Sequence, residues 1–163
     1  MSVKWQRHGF NGASKTVTLN RNGHFRFPEF TTDNYAITSD PSVEYNCIAW
    51  AAGDQENWWW PHEDSYWPDG VPREETLGAF IQAYARLGYS PCIESSVEAG
   101  YEKIAIYANA DGPTHAARQL PNGGWTSKLG PDEDITHNSL AALNCQLYGR
   151  PVLYLKRPIR GGS

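Results

Sequence analysis

An α+β domain is what this chain of 163 residues leads one to expect, on three counts. Stretches with helical spacing come first, apolar strand-like runs follow them, and two of those runs are joined by Pro121-Asn122-Gly123-Gly124, a tight-turn sequence whose Asn and Gly tolerate positive φ. No period of 20 to 50 residues repeats, so the domain is built once, as a single unit over 1–163: an amino-terminal arm (1–42), a core (43–158) and a tail (159–163).

Residues 1–42 are rich in Asn, Thr, Gly and Pro, and their alternations Thr16-Val17-Thr18-Leu19 and His24-Phe25-Arg26-Phe27 read as edge strands or an ordered arm. Tyr45 to Gly53 is an apolar run between Pro41 and Gly53. Three Ala and a Gly in the carboxyl-cap position make it a short buried helix with Cys47 at its amino end. Trp58-Trp59-Trp60-Pro61 through Trp67-Pro68-Asp69-Gly70 mixes indoles with turn residues, which fits an ordered loop packed on the body. From Glu74 to Leu87 the apolar positions Leu77, Phe80, Ile81, Tyr84 and Leu87 recur at three- and four-residue steps, the mark of an amphipathic helix. Strands are expected at Lys103–Ala108, Thr114–Leu120 and Trp125–Leu129, a further helix at Thr136–Tyr148, and a closing strand at Val152–Lys156.

Composition excludes several classes of function. Aromatic residues are 13% of the chain, with seven Trp and nine Tyr, enough apolar area to oppose disorder. Fourteen Lys and Arg against eighteen Asp and Glu leave a charge of -4, and no basic block suits nucleic acid. No apolar run approaches the roughly 20 residues of a membrane span, and Met1 to Asn20 has no signal-peptide core. A cytoplasmic protein, or one exported without a signal peptide, is expected. Three cysteines (Cys47, Cys92, Cys145) make no disulfide framework.

Cys47 is the candidate nucleophile, since thiols at helix amino termini are acidified and the free N–H groups there suit an oxyanion. His115, which opens its strand after Gly112-Pro113, is the candidate base. Asn46 either donates to the oxyanion or caps the helix. Trp60, with Trp58 and Trp59, either walls a cleft or joins the core. Lys128 lowers the thiol pKa, binds a carboxylate, or is a solvated surface lysine. Cys47, His115 and His137 fit no compact zinc motif, so neither metal nor cofactor is expected.

The order of a helix-start cysteine and a strand-mouth histidine, with Val97-Glu98-Ala99-Gly100 leading into Lys103-Ile104-Ala105-Ile106-Tyr107 and then Thr114-His115-Ala116-Ala117, resembles the papain-like cysteine hydrolases. The layout is that of the NlpC-type endopeptidase and amidase branch, over roughly residues 45–130. The strings Tyr45 to Gly53, Thr114 to Arg118 and Trp125 to Gly130 also resemble a bacterial family without an established reaction. The papain-like resemblance implies an antiparallel sheet packed against the cysteine-bearing helix. It places the imidazole-orienting group near Ser127, where the branch usually has His, Asn or Gln; Asp134 is the alternative, unless it caps the last helix. The implied activity is hydrolysis of an amide bond in a peptide or related substrate through a thioacyl intermediate. The other reading is a non-catalytic peptide- or sugar-binding or regulatory module.

Overall fold

The computed structural model describes residues 27–31 and 33–160. The arm strands expected at 16–19 and 24–27 lie outside these residues, apart from Phe27, which is buried. The elements run β1 (Tyr35–Ile37), α1 (Cys47–Ala52), α2 (Leu77–Ala85), β2 (Ser90–Cys92), β3 (Tyr101–Asn109), β4 (Gly112–Gln119), β5 (Trp125–Lys128), β6 (Asp134–His137), a 3-10 turn (Leu140–Leu143) and β7 (Arg150–Pro158). The strands form one seven-stranded sheet in the order β1-β6-β5-β4-β3-β7-β2, antiparallel at every pairing.

This architecture corrects the papain-like α+β expectation. The body of the molecule is the sheet, and α1 and α2 are short attachments to one side of it. The helix expected over Thr136–Tyr148 is absent. Asp134 to His137 pairs instead with β5, where β-branched Ile135 and Thr136 suit an extended backbone. In place of that helix, Leu140 to Leu143 form a single 3-10 turn, and Leu147 is 43% exposed.

The two α-helices form where capping and burial agree. Asn46 caps α1 by accepting from the Ala49 N–H, and Gly53 ends it at φ 84, a conformation costly for any residue with a Cβ. Thr76 caps α2 through the Ala79 N–H, and Ala79, Phe80, Ala83 and Tyr84 make its buried stripe. The β4–β5 hairpin closes at the expected turn, with Leu120 N–H donating to Gly124 O and Gly123 N–H to Leu120 O.

Side chains alternate across a strand, so the sheet separates two cores. On the helix face Ile104, Ile106, Ala116 and Leu155 pack with Cys47, Ile48, Ala49, Phe80, Tyr84, Trp59 and Trp67. On the other, the histidine face, Ala105, Tyr107, Ala117, Trp125 and Ile135 pack with Phe27, Phe30, Leu143 and Tyr148. The chain turns into β7 at Gly149, whose φ is 71 and where a Cβ would stand 1.9 Å from Ala108 O, so only glycine fits.

Candidate functional site

Cys47 and His115 do not meet. The Cys47 sulfur lies on the helix face, 4.0 Å from Thr114 O, and shares a core with Ala116. His115 precedes Ala116 and projects from the opposite face, its ring stacked on Tyr148 (centroids 4.3 Å apart, planes at 13°) and edge-on to Tyr107 at 5.2 Å. Period-two alternation along β4 imposes this separation, and it removes the hydrogen-bonded thiol–imidazole pair that the sequence suggested. Nor is the thiol activated. Cys47 is buried, and loss of solvent pushes its pKa up to about 11, overriding the downward pull of backbone N–H groups and of the Lys128 charge.

The other expected site residues serve α1 and its surroundings. The Asn46 side-chain oxygen accepts from Ala49 N–H (3.0 Å) and Trp59 N–H (3.2 Å), while its Nδ2 donates to Trp59 O (2.7 Å). Asn46 thus ties the start of α1 to the tryptophan loop and faces no reacting group. Trp60 packs edge-on against Phe80 at 5.6 Å, as part of the core margin. Lys128 is not the solvated surface lysine of the one alternative but fully buried, and its charge pulls the Cys47 pKa down without overcoming burial; Nζ donates to Ser42 O (2.7 Å) and Gly130 O (2.6 Å) and stands 4.8 Å above the Tyr45 ring. Burial lowers its pKa to about 8 against the pull of Asp134. Asp134 caps no helix and does not reach His115; both its oxygens accept from Tyr45 OH at 2.9 Å, on the helix face.

Ser127 does meet His115. Its Oγ lies 2.9 Å from His115 Nε2 and 2.8 Å from His137 Nε2, and His137 Nδ1 lies 2.9 Å from Ser139 O. The proton positions follow from the last contact. A carbonyl can only accept, so His137 carries its proton on Nδ1 and accepts at Nε2 from the Ser127 hydroxyl. Ser127 Oγ then accepts from His115 Nε2–H, which leaves a bare lone pair on His115 Nδ1, buried and without a hydrogen-bond partner among the described residues. Burial holds both rings neutral, with the His137 pKa lowered to about 4 and that of His115 well below the ordinary histidine value. With His115, Ser127 and His137 all sealed at 0–1% exposure, no substrate reaches this hydroxyl. The chain of bonds fixes β4, β5, β6 and the Ser139 carbonyl relative to one another.

Beyond Ser139 the histidine face opens into a cleft of about 450 Å³, whose walls include Ser95, Gln119, Trp125, Ser139, Asn144 and Tyr154. Sequence reading missed it, because Gln119 lies at the end of β4, Tyr154 on β7 and Asn144 after the 3-10 turn. The legible signal was the alternation Trp125, Ser127 and Ile135, His137, which would have aligned these side chains on one face had 134–137 been taken as a strand. Among the described residues no group of three or more His, Cys, Asp or Glu is arranged to hold a metal ion. No helix among them is long and apolar enough to cross a membrane.

Residues 36–156 match the family model described as a domain of unknown function, DUF7689. The chain belongs to this family. The DUF7689 span runs from β1 into β7 and takes in Cys47, both histidines of the buried chain and every wall of the cleft. Comparison with curated proteins and with solved structures finds no match.

Proposed function

We propose that this DUF7689 domain is a non-catalytic binding module whose ligand, an uncharged polar molecule, seats in the cleft on the histidine face. The observation that carries this reading is the lining. A cleft of about 450 Å³ falls within the roughly 300–1,000 Å³ usual for small-ligand sites, and its walls mix aromatic rings with amides and hydroxyls. A Cys47-dependent amide hydrolase is the competing reading. It requires an accessible thiolate beside an imidazole, and here the thiol is sealed with its pKa raised and the imidazole lies across the sheet.

The test is protein-observed NMR with a library of uncharged polar fragments, run beside an assay for amide cleavage. The module reading expects shifts gathered on the Trp125 indole and the Gln119 and Asn144 side-chain amides, unchanged in Cys47→Ser. Amide turnover that disappears in Cys47→Ser, or fragments that shift only residues of the helix face, would overturn it.

A further inference from the structure

From the chemistry of the cleft walls we infer that its ligand is a neutral carbohydrate, held by side-chain amides and hydroxyls against an aromatic ring. The inference rests on the binding-module reading and names the ligand class for that same cleft.

The first argument is charge. Among the described residues, none of those lining the cleft is Asp, Glu, Lys, Arg or His, so these walls give a carboxylate or phosphate no partner ion to offset its dehydration. This is a property of the site and not of the surface at large. A second cleft of about 440 Å³, beside β2, is lined by Glu94, Glu98, Lys103 and Lys156, with Lys156 Nζ 2.8 Å and Lys103 Nζ 3.3 Å from the Glu98 carboxylate.

The second argument is the kind of hydrogen bond on offer. Three amides (Gln119, Asn138, Asn144) and three serine hydroxyls (Ser95, Ser96, Ser139) line the cleft together with the Tyr154 phenol, groups that both donate and accept, as the neighbouring hydroxyls of a sugar ring require. Two of the amides are anchored by one bond each, so their planes are set before a ligand arrives. Gln119 Nε2 donates to Ser95 O at 2.6 Å, and Asn138 Nδ2 to Asp33 O at 3.2 Å. Asn144 Oδ1 is shielded and has no hydrogen-bond partner among the described residues. Half-buried Tyr154 supplies ring surface for the apolar face of a pyranose, and Trp125, buried at 4% exposure, lines the same wall.

The third argument separates sugar from peptide. An extended peptide takes much of its affinity from main-chain bonds to an open strand edge. Of the strand residues lining this cleft, Trp125 pairs with Gln119 on β4 and His137 on β6, and Tyr154 pairs with Ala105 on β3 and Cys92 on β2, so their main chains are already engaged on both sides. At these positions recognition falls to side chains, which suits a ligand made of hydroxyls.

The experiment is a titration of the full chain with neutral hexose and N-acetylhexosamine saccharides, from one to three rings, followed by tryptophan fluorescence and side-chain amide NMR. An uncharged tetrapeptide serves as the comparison. At least one saccharide is expected to shift the Trp125 indole and the Gln119 amide. Affinity should fall about five- to tenfold in Gln119→Ala and in Tyr154→Leu, the second keeping bulk so that the fold is preserved, and should be unchanged in Cys47→Ser. If the tetrapeptide moves these resonances and no saccharide does, the carbohydrate assignment fails while the module stands. Should saccharides, tetrapeptide and fragments all leave the cleft resonances in place, the module reading fails with it.

Discussion

The two faces of the sheet solve the same problem by different means. On the helix face, burial is mostly hydrocarbon and indole: α1, α2 and the tryptophan loop lie over Ile104, Ile106 and Ala116, with Phe80 between Trp60 and Trp67 at 5.6 and 5.1 Å. Buried polar groups there, Lys128, Tyr45 and Asp134, hold the preceding loop down onto β5 and β6. Among the described residues, the histidine face carries no α-helix. Aromatic rings and a relay of imidazole, hydroxyl and imidazole fill its centre, and the part that the described residues leave uncovered is the cleft. The contrast teaches that the covered face stabilises the domain, whereas the exposed remainder of the other is where a ligand has room.

The largest effect should come from emptying the covered face. Phe80→Ala removes a fully buried ring and is expected to cost about 4 kcal/mol by chemical denaturation. A loss under about 1 kcal/mol would mean that α2 contributes little to the core. Next, Ser127→Ala deletes the donor to His137 and the acceptor from His115, leaving buried nitrogens unpaired, and should cost about 2 kcal/mol. Wild-type stability in that variant would show that the relay is incidental.

Acid should act on the histidine face. Burial depresses both histidine pKa values in the folded state, so the unfolded chain binds more protons. Their contribution is fully present above the ordinary histidine value of 6.5 and is lost as pH falls from there toward about 4. Urea midpoints at pH 7.5 and 5 should differ in that direction, and His137→Gln should shrink the difference; equal slopes in the two proteins would refute the assignment. A smaller effect is expected of Thr76→Ala, about 1 kcal/mol for the lost cap of α2, read as a lower thermal midpoint. Last, alkylation of the native protein should modify half-buried Cys92 well before Cys47, with no stability change needed to see it by peptide mass spectrometry. Cys47 reacting first would restore the nucleophile hypothesis.

Several elements were legible in the residues. α1 ends at Gly53, α2 lies within the expected stretch from Glu74 to Leu87 with Phe80 and Tyr84 of the expected stripe buried and Leu77 exposed, and the β4–β5 hairpin turns at Asn122-Gly123, because local spacing and turn chemistry determine each of them. β6 was not legible, since Leu140 and Leu143 mimic a helical stripe over so short a stretch and the pairing of Asp134 to His137 with β5 is non-local. Ser127 was placed beside His115 by resemblance alone. The pairing holds in the structure, but with His137 as the further partner and on the face away from the thiol.

What the residues determined by themselves was a set of local conformations and an inventory of chemistry: one thiol at a helix start, imidazoles, amides and a wealth of indole. Which of these share a space was decided only by the fold. A strand offers two faces one residue apart, so His115 and Ala116, neighbours in the chain, belong to different cores, and register across seven strands, absent from any short window of sequence, chose the serine over the cysteine as the histidine's partner.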